Sequence, residues 1–184
     1  MNHRDDATET ARFRFRPMKQ LLLIRHAKSD WDHPGLSDHD RPLNDRGRRD
    51  CPRMAEALRS RGITPDLIVT STAVRAATTA EAIAGGLGLD TAAIARRSEL
   101  YLAPPQLILR VIQGLDESAE TVLIFGHNPG MHEAVGRLCG EEAVGDFPTL
   151  AVARIELDVD HWGAVEWGDG VLLECIVPRG LEAE

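Results

Sequence analysis

The chain has 184 residues, of which 43% are hydrophobic, and a formal net charge of −8 at pH 7. This length suits one hydrophobic core better than two, so we expect a single domain. The negative charge argues against nucleic acid or an anionic membrane as a partner, because both are polyanions. The cysteines are odd in number and lack metal-ligand spacing: Cys51, Cys139 and Cys175. We therefore expect reduced thiols and a cytoplasmic location.

The first 17 residues are polar, mixed in charge and followed by no small-residue cleavage pattern, so they are not typical of a signal peptide. We predict that residues 1–17 form a flexible N-terminal tail and that residues 18–184 form the domain. No apolar run in the sequence approaches the roughly 20 residues that a membrane-spanning helix needs. We therefore expect no membrane span.

The first predicted strand covers residues 20–24, a short apolar run that ends in the polar residues Arg25 and His26. Residues 66–71 and 121–129 follow the same pattern, which predicts two more buried strands with polar residues at their ends. Near the end of the chain, β-forming residues surround a Gly-Asp-Gly turn, which predicts an antiparallel hairpin added to the sheet.

Helical patterns cover residues 44–60, 73–84 and 104–114, and a fourth helix is predicted to follow Pro129 and end near Gly140. Asn44 can cap the first helix, and Pro52 inside it predicts a kink or a split. The third helix is predicted to bury Leu107, Ile108 and Val111. The predicted fold class is α/β: a three-layer α/β/α sandwich around a mostly parallel mixed sheet.

Three segments with polar residues resemble the motifs of one family. The first strand ends in RHAKS (residues 25–29), which resembles the Arg-His-Gly motif of the histidine phosphatase superfamily, with Ala27 in the glycine position. Residues 71–80, which include Arg75, resemble the second phosphate-binding segment of the family, and GHNP (126–129) resembles the third. DRPLNDRG (40–47) resembles the helix start of the short SixA-type phosphohistidine phosphatases. The resemblance runs from about residue 19 onward and implies a phosphoglycerate mutase-like fold without a large helical cap.

The residue types in these motifs suit phosphoryl transfer, which spreads negative charge over three oxygens. Each guanidinium of Arg25 and Arg75 can hold two of those oxygens, and His127 can supply a further donor. The neutral imidazole of His26 can approach a dianion without the repulsion that a thiolate would meet. The resemblance implies that His26 is the nucleophile. His127 and His132 are not spaced as a zinc-binding pair, so we predict no metal ion and no other cofactor.

Three further residues have two interpretations each. Glu99 resembles the place where larger family members carry a proton-donating glutamate, or it is an ordinary surface carboxylate. Arg41 adds positive charge to the rim of the site or forms a surface salt bridge, and Ser29 binds phosphate or satisfies the loop backbone. Three other carboxylates compete with Glu99 as the acid, although solvated loop charges are the preferred interpretation for them: Asp30, Asp32 and Asp38.

The segment at residues 99–121 has room for one helix, whereas larger members of the superfamily carry a helical insertion there that covers the cleft. We therefore expect a shallow, open cleft that suits a phosphorylated side chain of another protein. An imidazole leaves more readily than an alkoxide, which reduces the need for an acid. The predicted activity is removal of a phosphoryl group from phosphohistidine on a phosphorelay or phosphotransfer protein. The alternatives are a broad phosphomonoesterase for small phosphoesters and a non-catalytic phosphate-binding module.

Overall fold

The computed structural model describes residues 18–181, so the predicted tail at 1–17 lies outside the described residues. The strands are β1 (Lys19–Arg25), β2 (Leu67–Ser71), β3 (Ala95–Arg97), β4 (Thr121–Gly126), β5 (Val152–Leu157) and β6 (Gly170–Ile176). The α-helices are α1 (Asp45–Ser60), α2 (Val74–Gly86), α3 (Pro105–Gln113) and α4 (Gly130–Cys139). Within this part of the chain, no helix has both the length and the apolar character needed to span a bilayer.

The strands form one sheet in the order β3-β2-β4-β1-β5-β6. The first four of these strands are parallel to one another, whereas β5 pairs antiparallel with β1 and with β6. The prediction of a mostly parallel mixed sheet is therefore confirmed. Arg25 at the end of β1 pairs with Gly126 at the end of β4, and β2 ends beside β4. The carboxyl ends of β1, β2 and β4 thus meet at one edge of the sheet.

Helices cover both faces of the sheet because the side chains of β1 alternate in direction. Leu22 and Ile24 pack in one core cluster with residues of α1 and α2, and Leu21 and Leu23 pack in the other with residues of α3 and α4. All four of these strand residues are fully buried. The predicted three-layer α/β/α sandwich is confirmed.

Asn44 caps α1 as predicted, since its side chain accepts a hydrogen bond from the backbone N–H of Gly47 at 2.9 Å. Helix α1 runs without interruption across Pro52, so the predicted split was wrong. Pro52 has no N–H to donate to the carbonyl oxygen four residues earlier in the helix. Because Pro52 is exposed, water can donate to that carbonyl oxygen instead.

Helix α3 and the last hairpin also differ from the prediction. Ile108 is buried as predicted, but Leu107 and Val111 are only partly buried because both line an open cavity beside β2 and β3. Strands β5 and β6 are joined by residues 158–169, which contain a 3-10 turn with the buried Trp162, and not by a tight turn. The expected glycine turn is nevertheless present at the end of this connection, where Gly168 has a φ of 95° and the N–H of Asp169 donates to the carbonyl oxygen of Glu166 at 3.3 Å. The predicted antiparallel pairing of β5 with β6 is confirmed.

The start of α1 packs directly against the segment that follows β1. A Cβ atom on Gly47 would lie 2.3 Å from the carbonyl oxygen of Lys28, so a larger residue would not fit without a backbone shift. Ser29 also forms an isolated bridge with Leu43, just before the helix. These contacts hold the loop after β1 in place at the edge where the three strands end.

Candidate active site

His26 follows β1 directly and is 8% exposed. Its Nδ1 lies 2.7 Å from the carbonyl oxygen of Ala27. A carbonyl oxygen can only accept, so Nδ1 carries the proton and Nε2 is unprotonated, with a lone pair that can accept a hydrogen bond. Burial is the main cause that lowers the pKa of His26 to about 4; the charges of nearby arginines act in the same direction, and the Ala27 hydrogen bond opposes them. At pH 7 the ring is therefore neutral, with Nε2 as its unprotonated nitrogen.

Arg75, in the first turn of α2, lies beside that atom. Its Nε donates to Nε2 of His26 at 3.3 Å. Its other two nitrogens are held by Asp38: Nη1 donates to the backbone oxygen at 2.5 Å and Nη2 to the carboxylate at 3.0 Å. Arg75 is 3% exposed, so its guanidinium has a defined position next to Nε2 of His26.

Two more arginines line the same cleft. Arg25 donates from Nη1 to the carbonyl oxygen of Phe147 at 3.0 Å, and its buried Nε has no partner among residues 18–181. Arg41 is 7% exposed and donates to the hydroxyl of Ser29 and, at 2.7 Å, to the carboxylate of Asp38. Both interpretations of Arg41 thus apply, since it forms a salt bridge within the cleft lining.

His127 follows β4, and its ring centroid lies 5.2 Å from that of His26. Burial is the main cause that lowers the pKa of His127 to about 3, and the neighbouring His26 and Arg75 lower it further. The Nε2 atom is 2.8 Å from the hydroxyl oxygen of Ser71, whereas the buried Nδ1 has no partner in the described part of the chain. His127 is therefore a neutral ring with one nitrogen left for a ligand.

These side chains line an open cavity of about 210 Å³ at the carboxyl edge of the sheet. The structure brings six of the seven predicted site residues to this cleft, which contains His26, Arg25, Arg75, His127, Ser29 and Arg41. Lys28, Trp31 and Leu102 also line the cavity. The cleft combines a neutral imidazole with three guanidinium groups, an arrangement that can bind a phosphoryl group and stabilise its transfer.

Asp38 was interpreted as a solvated loop charge, and its side chain is 42% exposed, but it also has hydrogen-bond partners in the cleft that this interpretation missed. Its carboxylate accepts hydrogen bonds from Arg41, Arg75 and the hydroxyl of Tyr101, the last at 2.6 Å. The Tyr101 hydrogen bond is the largest cause that holds the pKa of Asp38 well below its usual range, and both arginines lower it as well. Asp38 therefore stays ionised at neutral pH and is not a proton donor. The one sequence signal for this contact is that Tyr101 is the single tyrosine in the chain.

The structure does not bring Glu99 to the cleft. Glu99 lies in a 3-10 turn at Ser98–Leu100, is exposed, and lines a different cavity together with Arg97 and Arg110. Glu99 was predicted as the acid from its position along the chain. The 3-10 turn instead places Tyr101 at the site and leaves Glu99 on another surface. Among residues 18–181, Asp38 is the one carboxylate that lines the cleft.

Thr79 on α2 links that helix to the His26 segment and was not predicted as a site residue. It is fully buried, and its hydroxyl accepts from the backbone N–H of Ala27 at 3.0 Å and donates to the carbonyl oxygen of Arg75 at 2.6 Å. Ala27 in turn orients the His26 ring through its own carbonyl. Thr79 therefore supports the position of the His26 ring without lining the cleft.

We expect Thr79→Val to destabilise the protein by about 1–3 kcal/mol, because the N–H of Ala27 would stay buried without a partner. The free energy of unfolding, measured in urea, checks this, and kcat should fall as His26 loses its orientation. Thr78→Val on the half-buried neighbouring position is the control and should change stability by less than about 0.5 kcal/mol. Equal effects of the two variants would contradict the role of Thr79.

We expect stability to fall as the pH decreases from about 6.5 toward 4. The folded pKa values of His26 and His127, about 4 and about 3, lie below the value of about 6.5 in an unfolded chain. In this pH window the unfolded state binds protons that the folded state does not, so each histidine adds a slope of up to about 1.4 kcal/mol per pH unit. Unfolding of the wild type and of His127→Gln at several pH values tests this, and equal slopes would contradict it.

The described residues contain no group of three or more histidine, cysteine, aspartate or glutamate side chains arranged to hold a metal ion.

Comparisons with known proteins agree with this geometry. The model of the histidine phosphatase superfamily (branch 1) matches residues 21–102. The phosphohistidine phosphatase SixA of Escherichia coli is 28% identical over 149 residues, which are 80% of this chain and 91% of that protein.

Two solved structures are similar over nearly the whole described chain. A proposed SixA phosphohistidine phosphatase from Agrobacterium tumefaciens is 30% identical with a TM-score of 0.74, covering 87% of this chain and 98% of that one. A protein histidine phosphatase SixA complexed with tungstate is 27% identical with a TM-score of 0.76, covering 89% and 99%. The chain therefore belongs to the histidine phosphatase superfamily and is a SixA-like phosphatase.

Proposed function

We propose that this phosphatase removes the phosphoryl group from phosphohistidine on a protein, through a transient phosphohistidine on His26. The observation that carries the proposal is the state of His26 Nε2. The proton of the ring is held on Nδ1 by the Ala27 carbonyl, and Nε2 has its lone pair beside the guanidinium of Arg75. A neutral nucleophile next to fixed positive charge is what attack on a phosphoryl dianion requires.

In the first step, Nε2 of His26 forms a bond to phosphorus while the P–N bond of the substrate breaks. The substrate ring, protonated on its other nitrogen, leaves as neutral imidazole. In the second step, water attacks phosphorus, the P–N bond to His26 breaks, and dihydrogen phosphate leaves while the His26 ring becomes neutral again. Arg25 and Arg75 stabilise the charge on the transferring oxygens, and the unpaired Nδ1 of His127 donates to one of them.

The proposed substrate follows from the proton donors and the size of the cleft. Asp38 is the one cleft carboxylate in the described residues, and it is held ionised, so no carboxylic acid protonates a leaving alkoxide. A phosphohistidine substrate releases an imidazole, whose conjugate acid has a pKa of about 6.5. A cavity of about 210 Å³ is smaller than pockets that enclose a metabolite, which usually exceed roughly 300 Å³. The names of the related phosphohistidine phosphatases, and the phosphate-like tungstate in one of them, support the same substrate class.

The test compares kcat/KM for a histidine-phosphorylated phosphotransfer protein, p-nitrophenyl phosphate and a panel of sugar phosphates. We expect the phosphohistidine protein to be a better substrate than the sugar phosphates by at least about tenfold, because a leaving sugar alkoxide needs an acid that the cleft lacks. p-Nitrophenyl phosphate releases a stabilised phenolate that needs no acid, so it serves as the reference for an activated ester. Faster turnover of the esters would favour a broad phosphomonoesterase. Phosphate binding without turnover of any substrate would favour a binding module.

A further inference from the structure

Two large apolar side chains are exposed at the mouth of the cleft. Trp31 is 73% exposed and Leu102 is 54% exposed, and both line the cavity that contains His26. We call this pair the apolar rim. Single exposed apolar residues are common on protein surfaces and need no explanation. These two, however, share a small cavity with the reacting atoms, and so lie where any carrier of a phosphoryl group must approach.

The backbone of Leu102 is strained, which adds to the unfavourable exposure of its apolar side chain. Its φ of 50° lies in the left-handed region that residues with a side chain seldom adopt. Leu150 also has a positive φ, but it is fully buried, so core packing offsets the strain there. At Leu102 the side chain stays largely in water, and packing in the folded chain does not explain the conformation.

Close packing behind Leu102 holds it at the rim. A Cβ atom on Gly130, the first residue of α4, would lie 1.9 Å from the carbonyl oxygen of Ala103, so the two segments are in direct contact. Tyr101, on the other side of Leu102, donates its hydroxyl hydrogen bond to Asp38. Leu102 is thus presented to solvent by a segment that is anchored at both flanking residues.

Trp31 is held in a comparable way. The guanidinium carbon of Arg41 lies 3.3 Å from its ring centroid, and Arg41 is anchored by Asp38 and by the carbonyl oxygen of Asp30. The ring is therefore fixed by one contact while most of its surface stays exposed. Rigid, exposed aromatic side chains lose little conformational entropy on binding and are typical of residues that dominate protein interfaces.

We infer that the apolar rim binds apolar side chains next to the phosphohistidine on the surface of a folded substrate protein. The inference rests on the proposed function and adds how the substrate is recognised. The cavity of about 210 Å³ is open and too small to enclose a protein carrier, so the carrier must lie outside, against Trp31 and Leu102. A sugar phosphate would bring hydroxyl groups to these side chains, whereas a protein surface can cover both with apolar area.

The experiment measures kcat/KM for two substrates, a histidine-phosphorylated helical phosphotransfer protein and phosphoramidate, which has the same P–N bond but no protein surface. Leu102→Asn removes the apolar side chain, and asparagine tolerates the left-handed backbone, so the variant is expected to fold. We expect its kcat/KM ratio of protein to phosphoramidate to fall about tenfold, mainly through KM for the protein. Trp31→Phe retains an aromatic ring next to Arg41 and should lower the ratio by a smaller factor.

The control is Leu173→Thr, which replaces an exposed leucine on β6, outside the cleft lining, by a residue suited to a strand. It should keep the wild-type ratio. An unchanged ratio in Leu102→Asn, whether kcat/KM stays the same or falls equally for both substrates, would overturn the inference while leaving the proposed function intact. A wild-type enzyme that cleaves phosphoramidate but not the phosphoprotein would overturn the proposed function, and the inference with it.

Discussion

His26→Ala is expected to lower kcat/KM by at least about 10⁴-fold, whichever substrate is used. The variant loses Nε2, which is unprotonated and lies 3.3 Å from Nε of Arg75. The arginines can still bind a phosphoryl group, but binding alone does not replace the covalent step. Wild-type enzyme quenched during turnover of a ³²P-labelled phosphoprotein should carry label on His26, mapped by mass spectrometry, and the variant should carry none.

His161→Ala is the matched control, because His161 is an exposed histidine whose ring lies 3.8 Å from Glu117 and outside the cleft lining. It should keep wild-type activity and labelling. If His26→Ala retained a tenth of wild-type activity, or if the label mapped to another residue, the assignment of the nucleophile would be wrong.

Arg75→Lys is expected to lower kcat by about 10²- to 10³-fold, even though the positive charge is kept. Lysine has a single nitrogen and cannot at once contact His26 Nε2, the backbone oxygen of Asp38 and its carboxylate, as Arg75 does. The fork that holds phosphoryl oxygens is lost at the same time. Steady-state kinetics and the inhibition constant of inorganic phosphate measure both effects, and phosphate should inhibit the variant more weakly.

Arg59→Lys provides the comparison, since Arg59 is exposed on α1 and pairs with Glu56 one helical turn away. Its kinetics should match the wild type. A change of less than about twofold in kcat for Arg75→Lys would show that the charge of residue 75 is sufficient and its fork geometry is not needed.

Much of the fold could be predicted because β1, β2 and β4 are continuous apolar runs that end in polar residues. A continuous apolar run is typical of a central strand, whose side chains are buried on both faces of the sheet. Parallel strands have their carboxyl ends at the same edge of the sheet. Residue order alone therefore predicts that Arg25, His26 and His127 lie together. β3 was not predicted as a strand, because three residues, two of them arginine, form no recognisable pattern.

The remaining parts of the site depend on contacts between distant segments. Thr79 and Ala27 are 52 positions apart, and Asp38 and Tyr101 are 63 apart, so no local pattern indicates either hydrogen bond. An aspartate in a polar loop is usually solvated, and only the approach of Arg75 and Tyr101 makes Asp38 an ionised anchor of the cleft. Glu99 illustrates the reverse case, since a short turn leaves it on another surface.

Residue type and strand order were sufficient to predict that His26, Arg25 and His127 meet at one edge of the sheet, because the strands that carry them are parallel neighbours, and all three line the cleft. The protonated nitrogen of His26, the anchoring of Arg41 and Arg75 by Asp38, and the exposure of Trp31 and Leu102 were decided only by the tertiary structure. The contact between Arg75 and Asp38 joins segments 37 positions apart, and the contacts between near neighbours, His26 with Ala27 and Arg41 with Asp38, depend on how the loops around them are folded. Local patterns carry no information on such contacts, whereas close packing determines them.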